Sequence, residues 1–197
     1  MMNVLEYALK KNPIIVSLTD SNDLEKALNA KSSIIILIQA DLLTLKAITN
    51  KIKETDNLIF VHMDLIKGLK RDVSAVRFLT NNIGIDGIVS THASLIKIAK
   101  RLQLLAIQRV FILDTASIKQ GIKSIQDSKP DAVEILPGVS VPHIKQYINS
   151  IKPVVIAAGL INTKKEIVEI LNNGAQGISS SSTDLWNIGP SIQVTDL

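Results

Sequence analysis

The feature that most constrains the fold is a series of short apolar runs spaced about 18–28 residues apart along the chain. The eight runs are 14–18, 34–38, 58–63, 87–90, 104–108, 132–136, 153–157 and 177–179. This spacing is close to the length of one strand–helix unit, so the runs predict eight strands joined by helices. Aromatic residues are only 3% of the chain, which favours an aliphatic core of the kind found in parallel sheets buried on both faces.

Helical signals separate the runs. Leu42, Leu45, Ile48 and Ile52 recur at helical spacing and share one face. Capping residues mark further helix ends: Asn22, Asp114, and Thr163 with Glu166 at starts, and Gly174 at an end. Regular alternation of strand and helix predicts an α/β chain with parallel strands.

Eight such units predict a closed (β/α)8, TIM-barrel-like fold in which residues 1–197 form one domain. The length is near the lower limit for that fold, so several helices must be short or missing. An open doubly wound sheet is the alternative, but it should carry a glycine-rich turn after its first strand. Residues 18–21 contain no glycine, which favours the barrel.

Composition excludes several classes of protein. The chain has no cysteine, so disulfides and thiolate metal sites are excluded. No apolar run approaches the roughly 20 residues of a membrane span, and residues 1–12 lack the apolar block of a signal peptide. We therefore expect a cytoplasmic protein. A net charge of +4 is compatible with a nucleic-acid partner but does not require one.

Small residues and serines follow the last two predicted strands. Gly159 and Leu160 follow the seventh strand, and Ser180 and Ser181 follow the eighth. Small residues let backbone N–H groups approach a ligand, and loops after strands 7 and 8 of such barrels often hold phosphate. These two loops therefore predict a binding site for a small phosphorylated molecule.

Polar residues at other strand ends would face the same mouth of the barrel. His62 and Asp64 lie two apart on one strand, so their side chains share a face and either bind a ligand hydroxyl or line the barrel. Arg109 suits phosphate or carboxylate, or forms a structural ion pair with Glu134 at the next strand end. Gly138 follows that strand, at a turn that would leave backbone groups open to ligand.

Signals for catalysis and metal binding are weak. Asp41, Asp64 and Glu134 are the candidates for acid and base, but there is no cysteine nucleophile and no lysine at the centre of a predicted strand. His62 and Asp64 lack a convincing third metal ligand. The sequence predicts neither a metal site nor a cofactor.

Two groups of basic residues are candidates for contact with RNA phosphate. Lys67, Lys70 and Arg71 form a cationic loop beside a glycine, after the third predicted strand. Lys97, Lys100 and Arg101 follow helical i, i+3, i+4 spacing after the fourth. From spacing alone, a solvated helix face is the simpler interpretation of the second group, and the chain offers few aromatic residues for base stacking.

Over about residues 12–186, the chain resembles the glycerol uptake operon antiterminator family, because several short sequence motifs occur in the same order. The resemblance depends most on residues 60–69, 107–114 and 130–138, with 158–161 and the serine run before Trp186 as weaker support. The chain departs from the family pattern at Thr19, Ala40 and Ala158. Alanine tolerates positive φ poorly, so Ala158 either adopts ordinary backbone or the loop is reshaped.

The resemblance implies a (β/α)8-like regulator that binds glycerol 3-phosphate, acts on the leader mRNA of glycerol-utilisation genes and prevents early termination of transcription. It implies phosphate contacts at Gly159, Ser180 and Ser181, with His62, Asp64, Arg109 and Glu134 near the glycerol end or the mouth. A barrel enzyme that acts on a small phosphorylated metabolite is the alternative. A third hypothesis is a metabolite sensor that contacts another protein. A homo-oligomer would extend the cationic surface.

Overall fold

Eight parallel strands close into a barrel in chain order, as the apolar runs predict. The structure is a computed structural model, and it describes residues 3–188. The strands are β1 Ile14–Leu18, β2 Ile34–Leu37, β3 Leu58–His62, β4 Gly87–Ser90, β5 Leu105–Phe111, β6 Ala132–Leu136, β7 Val154–Ala158 and β8 Gly177–Ser180. β1 pairs with β8, so the sheet has no open edge and the doubly wound alternative is excluded. This is a single (β/α)8, TIM-barrel-like domain.

Alternate residues of each strand face the inside of the barrel. Phe60, Ile107 and Ile156 lie in one buried cluster that fills the interior. Their strand neighbours Val61 and Val155 belong to outer clusters that pack against the helices. Because side-chain direction has a period of two, the residue two positions beyond an interior residue also faces inward.

The helices around the barrel are of unequal length. They are α1 Val4–Lys11, α2 Leu24–Leu28, α3 Leu42–Lys53, α4 Val73–Phe78, α5 Ala93–Arg101, α6 Thr115–Ser128, α7 Lys145–Ile148, α8 Lys164–Asn172 and α9 Thr183–Trp186. α2, α7 and α9 have five residues or fewer, which confirms that a chain of this length must shorten some helices. Within residues 3–188, none of the helices has the length and apolar character needed to cross a membrane.

Helix capping follows the sequence at two of the three predicted starts. Asp114 caps α6, and Thr163 forms the predicted capping box with Glu166 at α8. The prediction at Asn22 was wrong. The side chain of Asp20 accepts from the Asn22 amide and starts a 3-10 turn, Ser21–Asp23, so α2 begins later, at Leu24.

Helix α1, which was not predicted from the sequence, closes the N-terminal end of the barrel. Its buried face consists of Leu5, Ala8 and Leu9, which join the interior cluster. A Cβ added to Gly177 would lie 2.9 Å from Leu9 Cδ2, so the floor of the barrel is tightly filled. The i, i+3, i+4 spacing of these residues and the capping box of Asn3 with Glu6 were the available signals.

Gly87 tests this packing. A Cβ at Gly87 would lie 2.3 Å from Phe60 Cε1 and 2.7 Å from the Leu105 carbonyl oxygen. We expect Gly87→Ala to lower the free energy of unfolding by about 1–3 kcal/mol, because neither the ring nor the backbone can move freely. Urea denaturation measures this change.

Gly121→Ala is the matched control. Its Cβ would meet Val110 at an ordinary 3.8 Å inside helix α6, so the free energy of unfolding should rise by up to about 1 kcal/mol. Equal effects of the two substitutions would contradict the packing described for the interior.

Candidate functional site

The inward-facing residues change from apolar to polar toward the C-terminal mouth. Two positions beyond the interior residues Phe60, Ile107 and Ala132 lie His62, Arg109 and Glu134. The sequence predicted all three as mouth residues, and the structure brings them to one side of the barrel, on β3, β5 and β6. We refer to His62, Arg109 and Glu134 as the interior polar cluster.

Arg109 and Glu134 form a buried ion pair across the β5–β6 ladder. The two residues are register partners, and Arg109 Nε lies 2.6 Å from Glu134 Oε2. Glu134 is fully buried, and the Arg109 side chain is 12% exposed. The structural alternative for Arg109, pairing with Glu134, is therefore present. It leaves the other guanidinium nitrogens without a hydrogen bond to any residue from 3 to 188, so they can still donate to a ligand.

Three buried polar atoms of the interior polar cluster have no hydrogen-bond partner among residues 3–188. They are Glu134 Oε1 and both ring nitrogens of His62. Native proteins rarely leave such atoms unpaired, because burial removes water without replacing its hydrogen bonds. Unpaired buried polar atoms on neighbouring inward-facing side chains are typical of a site that a polar ligand completes.

His62 is held in its neutral form. Burial and the positive charge of Arg109 lower its pKa to about 4, and the charges of Asp64 and Glu134 offset only part of that shift. A neutral imidazole carries one N–H donor and one acceptor nitrogen. His62 can therefore both donate to and accept from a bound hydroxyl group at neutral pH.

Asp64 is occupied by hydrogen bonds within the protein. Its carboxylate accepts from Ser90 Oγ at 2.8 Å and from the Thr91 amide and hydroxyl at 2.8 and 2.9 Å. Burial alone would raise the pKa of Asp64, but these donors outweigh burial and lower it. Arg71 also donates to the Asp64 carbonyl oxygen, at 2.9 Å. Asp64 therefore anchors the loop after β3 to the end of β4.

Two interior serines that were not predicted from the sequence complete the lining. Ser17 and Ser179 share a hydrogen bond of 2.6 Å between their hydroxyls. Both are buried. The signal was strand parity: Ser17 follows Ile15 by two residues, and Ile15 lies in the interior cluster. Ser179 lies beside the predicted Ser180 but on the opposite face of β8.

The loop after β7 has a special backbone. Gly159 and Leu160 have φ of +80° and +59°, whereas Ala158 is not among the residues with positive φ. Ala158 thus keeps ordinary strand backbone, which is the first of the two alternatives given above, and the loop after β7 is not reshaped by the alanine. Leu160 is 68% exposed at the mouth.

Gly138 packs the loop after β6 against the loop after β7. Its amide donates to the Gly159 carbonyl oxygen at 3.0 Å. A Cβ at this position would lie 2.6 Å from Ile161 Cδ1 and 2.9 Å from the Ala158 nitrogen. The glycine is therefore needed for close approach of backbone, and its own N–H is already engaged.

Ser180 and Ser181 differ in the hydrogen-bonding groups that they leave available to a ligand. The hydroxyl of Ser180 accepts from the Ser182 amide at 3.1 Å, and its carbonyl accepts from Trp186 Nε1 at 2.8 Å. Ser180 is buried, whereas Ser181 is exposed beside the loop after β7. Ser180 shapes this turn, and Ser181 is the freer of the two hydroxyls.

The basic residues divide into two surfaces. Lys97 pairs with Asp127 at 2.7 Å, and Lys100 pairs with Asp131 at 2.6 Å, so the helical group is largely matched by carboxylates. Among the described residues, Lys67 and Lys70 form no salt bridge. The backbone of Lys67 is held in place, since it exchanges hydrogen bonds of 3.0 Å with Ala40 and Leu42. These bonds hold the loop after β3 against the loop after β2.

The candidate acid and base residues have other roles. Asp41 is exposed and caps α3 through a 2.8 Å bond from the Leu43 amide. Asp64 anchors its loop, and Glu134 pairs with Arg109. Within residues 3–188, no three His, Asp or Glu side chains are grouped so as to hold a metal ion.

The lowered pKa of His62 predicts a pH dependence of stability. The unfolded chain binds a proton near pH 6.5, whereas the folded state binds it only near pH 4. The folded state therefore loses stability as pH falls through this window, by about 2 kcal/mol between pH 7 and pH 5. Urea denaturation of wild type and His62→Asn at both pH values measures this, since the variant should lack that part of the loss. Equal losses in the two proteins would show that His62 titrates normally.

The Arg109–Glu134 pair predicts a non-additive response to substitution. Arg109→Met should lower the free energy of unfolding by about 3–5 kcal/mol, because it leaves a buried carboxylate without a partner. The double variant Arg109→Met, Glu134→Leu should recover most of that loss, because no buried charge remains. Urea denaturation of the single and double variants measures both. A double variant as unstable as the single would contradict this account of the pair.

Comparison with known proteins identifies the family. Residues 14–186 match the family described as glycerol-3-phosphate responsive antiterminator. The crystal structure of the glycerol uptake operon antiterminator regulatory protein from Listeria monocytogenes str. 4b F2365 is 32% identical, with a TM-score of 0.84 over 89% of this chain and 95% of that one. A glycerol uptake operon antiterminator-related protein from Thermotoga maritima MSB8 is also 32% identical, with a TM-score of 0.79 over 88% and 96%. The uncharacterized protein YgcP of Escherichia coli K12 is 30% identical over 93% of this chain and 96% of its own length. The chain belongs to the glycerol-3-phosphate responsive antiterminator family.

Proposed function

We propose that this protein binds glycerol 3-phosphate at the C-terminal mouth of its barrel and, in that state, binds a leader mRNA and prevents premature termination of transcription. The family supports the effector and the regulatory role. One observation carries the placement of the ligand: the interior polar cluster holds three unpaired buried polar atoms beneath the mouth. A small polyol supplies the hydroxyl groups that these atoms need.

The glycerol end of the ligand would occupy the interior, with His62 and Glu134 on its hydroxyls. The phosphate would lie higher, at the loops after β7 and β8. Gly159 lets the backbone turn with positive φ there, and Ser181 presents an exposed hydroxyl on the neighbouring strand end. Neither Leu160 nor Ser181 donates its amide to another residue from 3 to 188, so both amides are free to bind an anion.

RNA would contact the mouth rather than the helical face of α5 and α6. Lys67, Lys70 and Arg71 lie in the loop between β3 and α4, which follows the C-terminal end of a strand and so is on the same side of the barrel as the proposed ligand. Carboxylates already neutralise Lys97 and Lys100, which reduces their attraction for phosphate. Arg101 lies next to Lys100 at the end of α5, and we expect it to contribute less to RNA binding than the loop after β3.

The ligand would act on RNA binding by shifting the population of two states. Hydrogen bonds already join the loop after β3 to the segment after β2 and to Asp64. The ligand therefore does not need to fold this loop. His62 lies two residues before Asp64, so a ligand on the imidazole acts directly on the strand that ends in this loop. Coupling can be no larger than the difference in ligand affinity between the two states.

A regulatory role is favoured over an enzymatic one by the engagement of the carboxylates. Asp41 is committed to a helix cap and Asp64 to a loop anchor, and of the three only Glu134 keeps an unpaired oxygen, so they do not supply an acid and a base together. A turnover assay with phosphorylated polyols would detect an enzyme, and turnover there would replace the regulatory proposal.

Ligand-dependent RNA binding is the principal test. Thermal unfolding with glycerol 3-phosphate, glycerol or inorganic phosphate should show a rise in Tm with glycerol 3-phosphate that exceeds that with either fragment. Filter binding of a leader RNA at low salt should then show tighter binding when glycerol 3-phosphate is present. Equal RNA affinity with and without the effector would contradict the switch. Absence of RNA binding at low salt together with a ligand-induced Tm rise would favour a sensor that contacts another protein.

Matched lysine pairs locate the RNA surface. Lys67→Ala with Lys70→Ala should weaken RNA binding and reduce its salt dependence by about one phosphate contact for each lysine that contacts the RNA. The control pair, Lys97→Ala with Lys100→Ala, should have the smaller effect, because it removes cations that carboxylates already neutralise. The reverse order of effects would move the RNA surface to α5 and α6.

A further inference from the structure

We propose that Glu134 makes the site selective for a hydroxyl group over a carbonyl group, so that the protein distinguishes glycerol 3-phosphate from the corresponding ketone, dihydroxyacetone phosphate. This inference rests on the proposed function, since it concerns the same ligand site. It adds the chemical property by which the effector is selected and the residue that selects it.

The unpaired atom of Glu134 accepts hydrogen bonds and cannot donate them. Arg109 at 2.6 Å from Oε2 stabilises the ionised carboxylate, and the ionised group has acceptor atoms alone. Oε1 is fully buried and has no partner among residues 3–188. A ligand completes this site only if it brings an O–H or N–H group to Oε1.

The neighbouring His62 adds a second condition, that the same ligand group should also accept a hydrogen bond. As a neutral imidazole it provides one donor and one acceptor, and both nitrogens lack partners in the described part of the chain. A secondary hydroxyl both donates and accepts, so it can donate to Glu134 while it accepts from His62. A ketone oxygen at the same position can accept from His62 but cannot donate to Glu134 Oε1.

Apart from His62, the other polar groups of the barrel interior are less suited to this role, because each already has a hydrogen-bond partner within the protein. The Ser17 and Ser179 hydroxyls bond to each other at 2.6 Å. The carboxylate of Asp64 already accepts three hydrogen bonds, from Ser90 and Thr91. Glu134 is therefore the buried carboxylate in the described interior that still has an acceptor atom to offer.

The size of the effect follows from the cost of an unpaired buried charge. Sites built to hydrogen-bond a substrate hydroxyl reject analogues that lack it by factors of about 10⁴, because their own polar groups are left unpaired. Here the Arg109 side chain beside Glu134 is 12% exposed, so water reaches the edge of the ion pair, and we expect a smaller factor, roughly 10²-fold or more in Kd.

Isothermal titration calorimetry of the wild-type protein is the first arm of the test. The ligands are glycerol 3-phosphate, dihydroxyacetone phosphate and 1,3-propanediol phosphate, which lacks the central hydroxyl. We expect the last two to bind roughly 10²-fold more weakly than the first. If all three bind with Kd values within tenfold, the selectivity inference is overturned and the proposed function stands. If none binds, the proposed function fails, and the inference fails with it.

Variants of Glu134 are the second arm. Glu134→Gln can present an amide N–H₂ donor to a ketone oxygen, so the preference for glycerol 3-phosphate over dihydroxyacetone phosphate should fall to tenfold or less. Glu134→Asp keeps the acceptor chemistry and should retain most of the preference despite weaker binding overall. Glu6→Gln, the same change in helix α1 at the opposite end of the barrel, is the control and should leave the ratio unchanged.

A preference that persists in Glu134→Gln would overturn the assignment of Glu134. Circular dichroism establishes whether that variant folds. If it does not, the wild-type panel and Glu134→Asp decide the inference: a preference lost in Glu134→Asp, or 1,3-propanediol phosphate binding as tightly as glycerol 3-phosphate, would overturn it.

Discussion

Closure of the sheet between β1 and β8 is the constraint on which the rest of the structure depends. Once the ring is closed, every second residue of every strand must face a shared interior. The lower part of that interior is filled by aliphatic residues and Phe60, and helix α1 covers its floor. Polar side chains are left with one region to occupy, the layer beneath the C-terminal mouth.

The charged and polar groups of that layer lower the stability of the fold compared with apolar residues in the same positions. An ion pair between Arg109 and Glu134 removes two charges from water, and well-packed apolar residues often serve stability as well or better. The cost is increased by Glu134 Oε1 and by both nitrogens of His62, which remain unpaired. The proposed ligand would give a physical reason for keeping such groups, because its hydroxyls would supply the missing hydrogen bonds. The same burial that makes these atoms expensive lowers the pKa of His62 and holds its ring neutral.

Loop contacts divide the mouth residues into those that shape the site and those that can meet a ligand. Asp64, Gly138 and Ser180 use their polar groups or their lack of a side chain to hold neighbouring loops together. His62, Arg109, Glu134 and Ser181 retain groups that can engage a ligand. A residue at a strand end is therefore not a ligand contact by position alone, since adjacent loops of a barrel also need to be joined.

The sequence by itself determined the barrel, because eight apolar runs at the spacing of a strand–helix unit leave few other ways to bury aliphatic side chains. It also placed His62, Arg109 and Glu134 at the mouth, since strand parity is a local property. Helix α1 was missed because its apolar face is short and lies in a polar segment. Only the tertiary structure decided which polar groups already have partners. The pairing of Lys97 with Asp127, of Ser17 with Ser179, and of Asp64 with Ser90 and Thr91 joins residues that are distant in the chain, and no local pattern specifies such contacts.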